Sequence, residues 1–203
     1  RPLVNTKRGV FGIGGATTEN FGFISSPRGV VVDAVLPAIQ AEVSALQTAG
    51  VEIIVLISHL QGLAEETAVV GQLSGIDAVV AGGGDELLAS PAATLLPGDV
   101  AAGPYPALAP DFDGNQVPVV TTSGNYRYVG RLDLEFDANG DLVQVLPSSD
   151  PVRVVGTSFA DGVTPDPAAE ANIEQPVAAA LNALATNVVA TSEVALDGLR
   201  NSV

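Results

Sequence analysis

The run Val51-Glu52-Ile53-Ile54-Val55-Leu56-Ile57 constrains this chain more than any other stretch. Its β-branched and leucine side chains favour a pleated strand, and their lack of alternation predicts a strand buried on both faces. Ahead of it, Val31, Val35, Ile39, Val43 and Leu46 recur at helical spacing. They predict an amphipathic helix, with Ser25-Ser26-Pro27 as its start signal and Gly50 as its stop. Behind it, a second helix is predicted over Ala64 to Leu73 and a second buried strand over Ile76 to Ala81, which runs directly into Gly82-Gly83-Gly84. Residues 9–15 read as a further short strand entering a glycine turn. Strand, helix, strand, helix, strand is the order of an α/β protein with parallel strands and right-handed crossovers.

The second half follows another pattern. Residues 89–116, rich in Pro, Ala, Gly and Asp, read as a long surface connection, and Val117 to Thr121 as a strand. From Tyr126 to Phe136 the chain alternates, with Tyr128, Gly130, Leu132, Leu134 and Phe136 on one face. Asn139-Gly140 predicts a tight hairpin, with Leu142 to Leu146 as the returning antiparallel strand. Residues 147–168, with four prolines, read as an exposed connection, Ile173 to Leu184 as a helix, and Asn187 to Leu196 as extended. The expected division is a domain over 1–150 and a linker with a helix over 151–203.

Charge narrows the partners. Eight basic against 23 acidic residues leave a net charge of −15. Nucleic acid is excluded, because binding a phosphate backbone needs basic patches, and so is an anionic membrane surface. With 47% hydrophobic and only 15% charged residues, the chain is not a disordered acidic tail. It has no cysteine, which removes disulfides and thiolate metal sites. The longest aliphatic run is far below the ~20 residues of a spanning helix, so no membrane insertion is expected. The chain opens on Arg1 and is expected to be a processed product or a fragment. Its acidity, without Cys, Met or Trp, fits an extracellular or periplasmic protein.

Two features carry candidate chemistry. His59, the sole histidine, closes the strongest predicted strand. Asp85 follows Gly82-Gly83-Gly84 at the end of the next one. Ligands of α/β proteins gather at that edge of the sheet, glycines let a backbone approach closely, and a carboxylate suits a hard cation. The plain alternatives are a histidine that merely ends a strand and an aspartate that caps a turn. Gly12-Ile13-Gly14-Gly15 lacks the third glycine of a dinucleotide fingerprint. Asp111-Phe112-Asp113-Gly114-Asn115 opens like a calcium loop but has Thr122 at its twelfth position, and an acidic turn explains it better. Asp137, Asn139 and Asp141 are explained by their hairpin. Ser58 and His59 are no nucleophile pair, since neighbours on a strand point to opposite faces.

The order of blocks resembles the 5′-nucleotidase family of calcineurin-like metallophosphoesterases. Val51 to Leu60, with Leu56-Ile57-Ser58-His59, is similar to that family's strand and Leu-Ser-His block. Gly75 to Asp85 is similar to its Gly-Ile-Asp-Val-Ile-Val-Gly-Gly-His-x-His block. Pro118-Val119-Val120 and Gly124 to Leu134 resemble its next strands, and Val194 to Arg200 resembles the approach to its C-terminal substrate domain.

The resemblance implies part of a four-layer α-β-β-α sandwich with mixed sheets. It implies two divalent metals that activate a water against a phosphomonoester such as a nucleoside monophosphate. Residue by residue, His59 matches a histidine ligand, Gly83 the first histidine of the second block, and Asp85 its second ligand. Glycine at 83 departs from the pattern. Asp85 favours Mg, Mn or Ca over Zn. Gly82, Gly83 and Gly84 imply backbone room for metal and phosphate, and Asn125 and Arg127 are candidate substrate contacts. The family's N-terminal ligand motifs have no match in residues 1–50, so an N-terminal half or a partner chain is expected to supply them. Two other functions compete: a non-catalytic exported structural or surface protein on the same fold, and a calcium-dependent binding module built on the acidic turns.

Overall fold

The computed structural model describes residues 4–6, 9–17, 33–188, 191 and 193–194. They fall in two compact units, Arg1–Val154 and Val155–Val203.

In the first unit the predicted alternation of strands and helices builds one mixed six-stranded sheet. Strands β1 (Val4–Thr6), β2 (Gly9–Thr17), β3 (Ile53–His59), β4 (Ala78–Ala81), β5 (Ala107–Pro110) and β6 (Gln116–Val120) take the order β1-β2-β3-β4-β6-β5. Strands β2, β3, β4 and β6 are parallel, and β1 and β5 run antiparallel at the two edges. The register is continuous from Phe11 opposite Ile53 to Thr17 opposite His59, so β2 runs straight through Gly12, Gly14 and Gly15 with no glycine turn.

Helix α1 (Val35–Thr48) leads into β3. Pro37 sits in its first turn, where a missing N–H costs nothing. Ile39, Val43 and Leu46 form its buried stripe. It ends as predicted at Gly50, whose φ is +79° and whose amide donates to the Gln47 carbonyl at 2.9 Å. Ser25, Ser26, Pro27 and Val31 lie outside the described residues. Helix α2 (Leu63–Val70) connects β3 to β4. The core joins the α1 stripe to Val51, Ile54 and Leu56, to Val69 and Val70 of α2 and Leu73 just after it, and to Val79, Val117 and Val119. Burying each such side chain contributes about 1.5–3 kcal/mol.

Four expectations are corrected, in whole or in part. Strand β3 is buried on one face only, for Ile54, Leu56 and Ser58 are buried while Ile57 is 44% exposed. Its partner Val80 is 42% exposed, so an apolar strip of this face is open among the described residues. Residues 90–104 form the expected surface connection, but the stretch read as one also supplies edge strand β5, with Tyr105 and Ala109 buried. The alternating stretch 126–136 is two strands, β7 (Tyr128–Arg131) and β8 (Leu134–Phe136). The break falls at Asp133, whose amide donates to the Ser149 hydroxyl oxygen and whose carbonyl accepts from the Leu146 amide. Strand β7 then pairs with β10 (Asp150–Arg153), inside the stretch read as a connection, and β8 pairs with β9 (Leu142–Val145) across the predicted Asn139-Gly140 turn.

The second unit contains a helical stretch, α3 (Pro167–Ala169), a π-helical turn (Glu170–Glu174) and α4 (Gln175–Ala185). Asp166 caps it, its Oδ1 accepting from the Ala168 and Ala169 amides at 2.8 and 3.0 Å. The described part of 187–196 forms no strand, and Ala195 to Arg200 lie outside the described residues. No described helix is long and apolar enough to cross a membrane.

Candidate functional site

Four parallel neighbours place four C-terminal strand ends along one edge of the sheet. Thr17 lies opposite His59, Ser58 opposite Ala81, and Val80 opposite Val120. The edge therefore gathers His59, then Gly82, Gly83, Gly84 and Asp85 after β4, and Thr121 to Asn125 after β6. His59 and Asp85 are both exposed. Asp85 packs over Gly124, where a Cβ would meet its Oδ1 at 2.6 Å.

The loop between His59 and α2 is held by three carboxylates. Glu66 is 1% exposed; its Oε2 accepts from the Ser58 hydroxyl at 2.7 Å and its Oε1 from the Leu60 amide at 3.3 Å. Burial raises its pKa, and those two hydrogen bonds oppose the rise. Glu65 accepts from the Gln61 amide at 2.8 Å, and Glu86, from the loop after β4, accepts from the Leu63 amide at 3.1 Å. Glu65 and Glu66 also stand in the first turn of α2, where negative charge is favoured. Neither Glu66 nor Glu86 stood out in the sequence. An acidic pair beside a glycine N-cap was the available signal.

Space beside the triple glycine is already filled. A Cβ on Gly83 would overlap the Leu60 carbonyl oxygen, and one on Gly84 would overlap the Glu86 carboxylate. Gly82 is tight too, with the Ser58 carbonyl oxygen 3.1 Å from its Cβ position. Among the described residues, no three His, Asp or Glu side chains are placed to hold a metal ion. His59 and Asp85 alone do not make the two-metal centre that the family resemblance implies.

Arg127 is committed elsewhere. Its Nη2 donates to both oxygens of Asp99 at 2.7 and 2.8 Å. The Tyr128 hydroxyl donates to the same carboxylate at 2.7 Å and accepts from the Leu96 amide. Tyr128 first, and Arg127 next, hold the Asp99 pKa low. Asn125 and Tyr126 form the turn before this network, both in the left-handed region with φ of 66° and 56°.

The opposite edge of the sheet carries an acidic cavity of about 730 Å³ whose lining includes Glu52, Asp77, Asp111 and Asp141. The two calcium-like loops meet it, but each spends its leading carboxylate on its own chain. Asp111 Oδ1 accepts from the Asp113 and Asn115 amides, and Asp137 Oδ1 from those of Asn139 and Asp141. Burial, with Asp141 and Asp111 nearby, pushes the Asp77 carboxyl up to about 6, against a bond from the Ile54 amide. A raised folded-state pKa gives stability below the unfolded value that is lost as pH rises through about 6. Asp77→Asn keeps an acceptor for Ile54 and removes that loss. It is expected to stabilise the fold by about 1–2 kcal/mol at pH ~8, discounted for partial exposure, and by less at pH ~5. Urea unfolding at both pH values checks this; a gain independent of pH would contradict it.

Comparison with known proteins shows that the chain belongs to the 5′-nucleotidase family. The bovine (Bos taurus) 5′-nucleotidase is 33% identical over 137 residues, 66% of this chain and 23% of its own length. The snake venom 5′-nucleotidase of Naja atra is 30% identical over 177 residues, 85% of this chain and 31% of its own. Among solved structures, the 5′-nucleotidase precursor of Thermus thermophilus superposes with a TM-score of 0.76 at 27% identity, over 93% of this chain and 35% of that one. The NAD nucleotidase NadN of Haemophilus influenzae shares the fold, with a TM-score of 0.71 at 18% identity over 93% of this chain and 43% of its own. The chain thus spans about a quarter of the length of the mammalian relatives it matches. No family model matches the chain.

Proposed function

We propose that this chain, a segment of the 5′-nucleotidase family, belongs to a hydrolase that cleaves phosphate monoesters of nucleotides. The observation that carries the reading is the placement of His59 and Asp85 at the ends of neighbouring parallel strands. The likeness to nucleotidases supplies the substrate class. In the reaction, a water oxygen bonds to phosphorus, the phosphorus–oxygen ester bond breaks, and the leaving nucleoside oxygen takes a proton.

In this proposal His59 and Asp85 are ligand side chains for a divalent cation (Mn, Mg, Ca or Zn), Asp85 favouring the harder ones. The rest of the shell comes from other parts of the protein or from a partner chain. Of the triple glycine, Gly82 is the exposed member, and with Asn125 it borders the substrate, while Gly83 and Gly84 lie against Leu60 and Glu86. Arg127 holds Asp99 through Nη2 and has its other guanidinium N–H groups to offer a phosphate. An extracellular or periplasmic setting fits the acidic, cysteine-free composition and the venom origin in the names of several relatives.

The closed space at Gly83 favours a second reading, a non-catalytic surface or structural protein on the same fold. Phosphate release by the native protein decides between them. With Mn or Mg present, a nucleoside 5′-monophosphate is expected to yield nucleoside and inorganic phosphate. Failure to hydrolyse that substrate or p-nitrophenyl phosphate with any of the four cations would favour the second reading.

A further inference from the structure

We infer that the loops after β3 and β4 are joined by a clasp of this chain's own atoms, with the Glu86 carboxylate as its link, and that the clasp needs no cation. Two contacts make it. At the first, Gly83 lies directly against the Leu60 carbonyl, so close that no side chain fits at residue 83 on this backbone. At the second, the Glu86 carboxylate reaches back to the start of α2 and accepts from the Leu63 amide at 3.1 Å. The first amides of a helix have no partner inside it, so an acceptor from another loop ties the two segments together. Glu86 lies between two glycines that admit it. Gly62 has a φ of +151°, and its Cβ position is 2.9 Å from Glu86 Oε1. A Cβ on Gly84 would overlap Oε2, which is shielded from solvent and has no hydrogen-bond partner among the described residues.

The departure from the family pattern at Gly83 is therefore more than the loss of one side chain. The Leu60 carbonyl occupies the space from which a ligand would project. Glu86 supplies a direct link between the two strand ends that carry His59 and Asp85. Because the clasp is a matter of loop packing, it stands whether or not the protein hydrolyses phosphate esters.

Amide hydrogen exchange on the full protein, read at Leu60, Gln61 and Leu63, tests this without turnover. In the wild type, Leu63 is expected to keep its protection in EDTA and in Mn alike. Glu86→Ala is expected to speed exchange at Leu63 about tenfold, the loss of one hydrogen bond, in both buffers. Leu60 and Gln61, held by Glu66 and Glu65, stay protected. Glu86→Gln, which retains an acceptor oxygen, is expected to restore most of the protection. Two results would overturn the inference. One is a wild-type Leu63 amide that loses protection in EDTA and regains it with Mn. The other is a Glu86→Ala protein with unchanged Leu63 exchange. The wild-type comparison is decisive even if the alanine variant does not fold.

Discussion

Glu66→Ala is expected to cost about 2–4 kcal/mol of folding stability, while Glu66→Gln stays within about 1 kcal/mol of the wild type. The asymmetry follows from what Glu66 touches. Its carboxylate is almost fully buried, and its two oxygens serve Ser58 and the Leu60 amide on either side of His59. Alanine leaves the Leu60 amide with no acceptor from this side chain, leaves the Ser58 hydroxyl only the longer bond to the Val80 carbonyl at 3.5 Å, and opens a cavity. Glutamine fills the same volume, offers an oxygen to the amide and an amino group to the hydroxyl oxygen, and removes the cost of burying a charge. Denaturant unfolding of the two variants against the wild type measures the difference. If Glu66→Ala matched Glu66→Gln, the buried hydrogen bonds would not be what holds the loop.

The sheet was legible where a residue's fate depends on its near neighbours. The apolar run 51–57 marked β3, and the spacing of Val35, Ile39, Val43 and Leu46 with Gly50 marked α1. Asn139-Gly140 marked the turn between β8 and β9. Elements decided by distant partners were not legible. Strand β5 is a strand because Ala107 to Pro110 find β6, and nothing in its own Pro- and Ala-rich composition says so. The alternation from Tyr128 to Phe136 hides a change of partner that Ser149 and Leu146 impose at Asp133. One-sided burial of β3 was also invisible, because a run of Ile, Val and Leu reads the same whether one face or two is covered.

The candidate site divides along the same line. His59 and Asp85 were legible as strand-end residues, and the structure puts them on one edge. The roles of Glu66 and Glu86 were not, since a glutamate in a first helical turn looks like a complement to the helix dipole. The closure at Gly83 depends on a carbonyl 23 residues earlier in the chain, a relation that no local pattern records.

His59→Ala tests the central claim most directly. The imidazole is exposed at the edge, so its removal is expected to leave folding stability within about 0.5 kcal/mol of the wild type. If the edge carries the chemistry of a phosphoester hydrolase, the same change removes an interaction with the reacting centre. The measurement is kcat/KM of the full protein for a nucleoside 5′-monophosphate with a divalent cation present, wild type against His59→Ala. The predicted result is a loss of at least about 100-fold, equivalent to about 2.7 kcal/mol of transition-state stabilisation, at an unchanged melting temperature. Equal kcat/KM in the two proteins would contradict the claim and place the chemistry elsewhere in the molecule.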